Sequence, residues 1–172
     1  MRKLVIASSN SGKLREISHL LAPLGIEVVP QAIFNLSDAD EPHCTFVENA
    51  LAKARHACNH TGLPSLADDS GICVNALNGN PGVLSARYAG EPKSDERNNR
   101  KLVEVLRDQT DRRAHYYCVI VLMLHAEDPR PVDRRHLQRL GPGGGLRRRA
   151  LRDHEDGDRR LHLGAGLPAG QY

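Results

Sequence analysis

The stretch KLVIASSNSGKLREISHLLAPLGIEVVP, Lys3 to Pro30, changes its hydrophobic period twice. Lys3 to Ala7 has the short apolar run of a buried strand, and it ends in the small polar loop SSNSG. Leu14, Ile17, Leu20, Leu21 and Leu24 then recur at helical spacing until Gly25, a helix stop. Ile26 to Val29 is rich in β-branched residues and bounded by Pro30, so the first 30 residues read β, loop, α, β. That alternation is the mark of an α/β fold.

The pattern continues downstream. Thr45 stands three residues before Glu48 in TFVENALAKARHA, a capping box that opens a second helix with Phe46, Ala50, Ala54 and Ala57 as its apolar stripe and an end near His60 to Gly62. LPSLADDSGICV, Leu63 to Val74, reads as strand, tight turn, strand, with Asp68 to Gly71 supplying the turn. Ser94, Asp95 and Glu96 signal the start of a helix that carries Leu102, Val105 and Leu106. His115 to His125 is a long apolar run suited to a central strand.

At 172 residues and 18.9 kDa the chain is the size of one domain. A chain of that length buries roughly 70% of its extended surface and folds without disulfides or a structural metal. The longest apolar run, Cys118 to Leu124, is far short of the ~20 residues of a membrane span, and the start has no secretory apolar stretch. A cytoplasmic protein with no membrane partner is expected. Cys44, Cys58, Cys73 and Cys118 form no CxxC pair and read as reduced thiols packed as small hydrophobes.

Charge divides the chain in two. Residues 1–129 hold 14 Lys and Arg against 16 Asp and Glu, whereas residues 130–172 hold 10 Arg, no Lys and 5 acids. The net charge of +3 therefore belongs to the tail and is no nucleic-acid footprint of the domain. From Arg130 on there is no Ser, Thr, Asn, Lys, Ile, Phe or Met, and no sustained period of 2 or 3.6. The expected organisation is a domain over 1–129 and an aberrant Arg/Gly-rich tail over 130–172 that adds little to a core, with a composition like a GC-rich coding region read in the wrong frame.

Several groups can carry chemistry. Ser8, Ser9, Asn10, Ser11 and Gly12 lie between a strand and a helix whose first turn holds Lys13; orphan N–H groups, the helix dipole and a lysine together favour an anion. A capped turn with a solvated lysine would look the same. A Walker P-loop is rejected, because Ala7 replaces its first Gly and Leu14 follows the GK. Asp68, Asp69 and Ser70 are either turn formers or a place where a carboxylate holds Mg2+ or draws a proton from water. Asp40 and Glu41 offer further oxygen ligands. Asn49 and Lys53 share one face of the second helix, and Arg87 lies in the Gly- and Pro-bearing loop Gly79 to Gly90, from which it could meet a phosphate.

SSNSGKLREI, TFVENALAKA, ADDSGICV and NPGVLSARYAG occur together and in this order. As a set, covering about Lys3 to Leu124, they resemble the inosine/xanthosine triphosphate pyrophosphatase family. The resemblance implies an α/β fold with a long mixed central sheet flanked by helices, two lobes around a cleft, and a homodimer. It also implies Mg2+-dependent hydrolysis of ITP, dITP and XTP to the monophosphate and pyrophosphate, which keeps these purines out of DNA and RNA. Matched by position, Ser8 to Lys13 cradle the phosphates, Lys53 assists, Asp69 acts as base and metal ligand, and Ser70 touches substrate. The second metal position falls on Asp40, where relatives usually have Glu, with Glu41 beside it. The family's later GGFGYDP-like and SHR-containing stretches, which hold the base and sugar, have no counterpart in residues 130–172. Poor solubility and weak or absent activity are therefore expected of this chain.

Two other readings compete. A Maf-like nucleotide pyrophosphatase also runs from a strand into a serine-rich start, but usually continues Pro-Arg-Arg, and ADDSG argues against it. A non-catalytic polyanion-binding protein would use the Arg-rich tail, which lacks the aromatic platforms of single-strand binders.

Overall fold

A computed structural model describes residues 2–129, 131–140 and 146–150, with backbone alone beyond residue 132. The elements follow the sequence reading closely: β1 (Arg2–Ile6), α1 (Ser11–Leu21), β2 (Ile26–Pro30), α2 (Phe46–Thr61), β3 (Ser65–Val74), α3 (Asp95–Val105), β4 (Ala114–Met123), β5 (Val132–Leu140) and β6 (Leu146–Ala150). The strands form one mixed sheet in the order β2-β1-β3-β4-β5-β6. β1 runs parallel to β2 and β3, and the later pairs are antiparallel. Among the described residues no helix is long and apolar enough to cross a membrane. Of the expected tail, Val132–Leu140 and Leu146–Ala150 pair onto the sheet as β5 and β6, whereas residues 130, 141–145 and 151–172 lie outside the described residues.

Local chemistry explains where the helices begin and end. Asn10 caps α1 by accepting from the Lys13 N–H, and Thr45 caps α2 by accepting from the Glu48 N–H while its hydroxyl donates to the Glu48 carboxylate. Gly62 closes α2 in the left-handed conformation that a glycine adopts without strain. Helix α1 stops at Leu21, earlier than Gly25, because Pro23 lies in a short 3-10 turn, Ala22–Leu24. That turn carries Leu24 out to solvent, and Leu20 is exposed too, so only Leu14, Ile17 and Leu21 of the expected stripe pack.

Alternation along β1 sends its side chains to two separate cores. Val5 and Ala7 pack with Ala50, Ala54 and Ala57 of α2 on one face, whereas Leu4 and Ile6 pack with Leu14, Ile17 and Leu21 of α1 on the other. The two helices thus cover opposite faces of the sheet. Both connections start or end beside β1, one leading to β2 and the other crossing back to β3. A crevice opens at the carboxyl end of β1, the place where a change of strand order favours ligand binding.

The largest departure from the sequence reading is at Asp68 to Gly71. No turn is present: β3 runs unbroken for 10 residues, each opposite a residue of β4, from Ser65↔Met123 to Val74↔Ala114. The acids are tolerated inside a strand because side chains from both helices meet them, as described below. Cys44 is also exposed rather than packed, while Cys58 and Cys73 are buried as expected.

Gly71 shows why one small residue is needed in β3. A Cβ there would lie 2.2 Å from the Gly82 carbonyl oxygen and 2.5 Å from Ser85 Oγ, in the 3-10 segment Gly82–Arg87 that packs on the strand. Ser85 Oγ accepts from the Ile72 N–H at 2.9 Å and donates to Gly82 O at 2.6 Å, so the segment cannot retreat freely. Gly71→Ala is therefore expected to cost about 1–3 kcal/mol of overpacking. Urea unfolding should show a lower midpoint with an unchanged slope; an unchanged midpoint would mean that the segment is not held against the strand.

Candidate active site

The site begins where β1 stops. β1 pairs with β3 only at Val5↔Ser65 and Ile6↔Leu66, and the last tie is the Ala7 N–H donating to Leu66 O at 2.8 Å. Beyond it the chain turns off through Ser8 and Ser9 into α1, leaving β3 at Asp68 facing a cleft of about 340 Å³. Ala7, Ser8, Ser9, Gln31 and Ala39 line this cleft together with four basic side chains, Lys13, Lys53, Arg87 and Lys93, and five acidic ones, Asp38, Asp40, Glu41, Asp68 and Glu91.

Asp68 and Asp69 point to opposite faces of the sheet, and each meets the helix on its own side. Asp68 pairs with the Lys13 ammonium of α1, which also donates to Ser70 Oγ at 3.1 Å. Asp69 accepts from Asn49 Nδ2 at 3.2 Å and from Lys53 Nζ at 3.3 Å, both on α2. Lys53 also donates to the Asp68 carbonyl oxygen at 3.1 Å and pairs with Glu41. The i, i+4 spacing of Asn49 and Lys53 is what brings both to one carboxylate.

Glu41 is held from a second direction. Arg87 Nη1 donates to its Oε2 at 3.1 Å and Nη2 to its backbone carbonyl oxygen at 2.9 Å. Arg87 is placed by α3: Asn98 accepts from the Ala89 N–H at 2.7 Å and donates to Ala86 O at 2.9 Å, and Lys101 donates to Tyr88 O at 2.6 Å. The arginine expected to face a phosphate thus clasps an acid in this structure. Asp40 is exposed on the cleft wall, and of the two adjacent candidates it is Glu41 that joins the charge network. Half-buried Ser8 and exposed Ser9, Asn10, Ser11 and Gly12 form the entry to α1, with Asn10 engaged as its cap.

Two residues noted in the sequence, but given no role by the family resemblance, also belong to the site. Asp68 is the partner of Lys13, and the adjacent pair in ADDSG was its only signal. Asn49 is fully buried; besides Asp69 it donates to His43 O at 3.3 Å and accepts from the His43 N–H at 3.1 Å. It therefore ties the segment that carries Glu41 to Asp69. Its helical position one turn before Lys53 was visible, but nothing in the sequence showed that it faces inward.

The charges shift one another. Burial pulls the Lys13 ammonium down, but the charge and hydrogen bond of Asp68 outweigh it and leave Lys13 above its ordinary range. Burial pushes Glu41 up, and the hydrogen bond and charge of Lys53, with help from Arg87, overcome it and hold Glu41 below the usual 4.5. At Asp69 burial wins over Lys53 and Asn49, and its carboxyl stays above the usual 3.8. Among the described residues no three His, Cys, Asp or Glu side chains cluster as a ready-made metal site. The donors that converge are hard oxygens, Glu41, Asp69 and the Asp68 carbonyl, and they converge on the Lys53 ammonium. An ammonium standing among such oxygens marks a place whose donor set suits a magnesium-like ion.

Two outcomes follow from this network. The stability that Glu41 adds is present above pH 4.5 and is lost as the pH falls through its depressed value, so Glu41→Gln should lower stability at neutral pH and flatten the decline below pH 4.5 in thermal melts. Asn49→Leu removes the donor to Asp69 and both bonds to His43; it should cost about 1–3 kcal/mol and speed proteolysis between residues 36 and 44. Unchanged cleavage there would separate Asn49 from the ordering of that segment.

Comparison with known proteins agrees with this architecture. The Ham1 family model matches residues 4–134. A protein of Nitrosomonas europaea named dITP/XTP pyrophosphatase is 74% identical over 132 residues, which are 77% of this chain and 65% of that protein. One of the same name from Aromatoleum aromaticum is 64% identical over 130 residues, 76% of this chain and 66% of that protein. The chain thus spans slightly less than two thirds of the length of these relatives. Among solved structures, a HAM1 protein from Coxiella burnetii superposes with a TM-score of 0.76 at 47% identity, covering 80% of this chain and 71% of that one. With the mixed sheet, the βα loop at the end of β1 and the acids of β3 matched along three quarters of its length, the chain belongs to the Ham1 family.

Proposed function

We propose that the site hydrolyses non-standard purine nucleoside triphosphates, ITP, dITP and XTP, to the monophosphate and pyrophosphate with Mg2+. The observation that carries the reading is the meeting of two lysines from opposite faces of the sheet with carboxylates on the open edge of β3, beside the N-terminus of α1. The names of the relatives point to dITP and XTP among these substrates. The rival Maf-like and polyanion-binding readings have no such support.

A nucleoside triphosphate brings about four negative charges, and attack by water spreads more over its bridging and equatorial oxygens. The N–H groups at the start of α1 with Ser8, Ser9 and Lys13 bind the phosphate chain, and Lys53 assists from α2. Ser70 touches substrate. Asp69 holds the attacking water and takes its proton, help worth about 10²- to 10⁴-fold. Glu41 and Asp69 would hold the magnesium ion, with Asp40 beside them. When bound, that ion neutralises phosphate charge and makes the phosphorus a better electrophile. Arg87, which holds Glu41 and lines the same cleft, also meets a phosphate bound there. We assign the family-like domain to residues 1–129 and the aberrant tail to 130–172; the family match ending at residue 134 supports that division. A GGFGYDP-like stretch in a shifted frame of the nucleotide sequence near codon 130 would account for the tail, whereas an intact frame in independent clones would reject it.

The direct test is pyrophosphate release by the full chain and by a chimera in which residues 1–129 are followed by the remaining third of the Nitrosomonas europaea relative. The chimera should prefer ITP, dITP and XTP over ATP and GTP by about tenfold or more; equal or zero turnover rejects the assignment. Asp69→Asn in that chimera should abolish turnover. Because the folded protein holds the Asp69 proton to higher pH than the unfolded chain does, ionisation at neutral pH costs stability. The metal-free variant should therefore melt at or above the parent's temperature, and full retention of rate would remove Asp69 from the mechanism.

A further inference from the structure

We propose that Lys53 is a placeholder: its ammonium occupies the point among Glu41, Asp69 and the Asp68 carbonyl where a divalent cation is bound, and it must leave for that cation to enter. The inference rests on reading the site as one that takes a divalent cation with a polyphosphate, and it adds an order to the events there.

The geometry is specific. Lys53 Nζ pairs with Glu41 Oε1, donates to Asp69 Oδ1 at 3.3 Å and to Asp68 O at 3.1 Å. An ammonium has three protons, and these three oxygens take all of them. The Lys53 and Glu41 side chains are each 18% exposed and that of Asp69 only 8%, so water competes poorly for any of the three. Asp69 does not reach the wall of the cleft, although Lys53 and Asp68 both do. The lysine is therefore also the cover over the carboxylate that the hydrolysis needs.

A divalent ion and an ammonium cannot share the same oxygens, because two cations a few ångströms apart repel strongly in a partly buried site. Entry of the metal evicts the lysine. The cleft that Lys53 already lines also contains Ser8, Ser9 and Lys13, the end at which the phosphates are bound. A polyphosphate there gives the displaced ammonium new acceptors. Metal alone must break three contacts with no replacement, whereas metal with polyphosphate exchanges them, so the two ligands bind with positive coupling. Without nucleotide, Glu41 and Asp69 stay neutralised, and Asp69 stays covered.

The test uses Mn2+ alone, followed by its paramagnetic resonance signal, with the full chain and no nucleotide. Lys53→Met should bind Mn2+ about tenfold tighter or more than the parent, and adding Glu41→Gln to that variant should abolish the gain. Equal or weaker binding by Lys53→Met overturns the proposal, since removing the ammonium would then have freed none of the oxygens it holds. Should Lys53→Met fail to fold, acetic anhydride labelling of the parent gives the same answer: saturating Mn2+ should raise the rate of acetylation at Lys53, and an unchanged or lower rate overturns the idea. Neither readout involves turnover. Failure on ITP, dITP and XTP would sink the proposed reaction while leaving this result to stand or fall separately.

Discussion

Successive side chains of a strand point to opposite faces of a sheet, and two adjacent carboxylates therefore cannot share one partner. The site is organised around that constraint. Asp68 and Asp69 lie together where the edge of β3 opens, and each requires a cation from its own side. The α/β crossovers supply both, because α1 and α2 cover opposite faces and both converge on the end of β1. Two buried acids would otherwise repel each other, and each carries a desolvation cost of several kcal/mol. A lysine from each helix offsets that cost locally, and the network of Asn49, Glu41 and Arg87 uses the remaining lone pairs.

The resulting charge arrangement is tense at one point only. Lys13 and Glu41 are both stabilised in their charged forms, whereas Asp69 is buried more than it is compensated. Uneven compensation of this kind is common where a carboxylate has work to do, and sites that act on substrates are often less stable than they need be. The rigid side of the cleft has a different origin. Gly71 lets the 3-10 segment lie directly on β3, and Asn98 of α3 pins the same segment from behind, so Arg87 is delivered to Glu41 by backbone packing.

Much of this was legible from residue order. The hydrophobic periods of Lys3 to Pro30 and the capping box at Thr45 are local signals, and local signals survive folding; both gave elements close to those observed. Asp68 to Gly71 misled because Asp, Ser and Gly favour turns in isolation, while the partner that keeps them extended, β4, lies some 50 residues away in sequence. The clasp of Arg87 on Glu41 was hidden for the same reason. The acid partner is 46 residues distant, and no short-range pattern reports such a contact. Asn49 was visible on the correct helical face, but two of its three hydrogen bonds depend on a backbone segment whose path follows no period.

The alanine seam of α2 governs more than packing. Ala50, Ala54 and Ala57 are fully buried against Val5, Ala67, Val119 and Val121, and they act as a thin shim that sets how closely the helix rests on the sheet. Asn49 and Lys53 ride on that helix, so the shim's thickness fixes their reach toward Asp69. A bulkier residue in the seam would raise both side chains at once, detuning the carboxylate without touching a single group that contacts it.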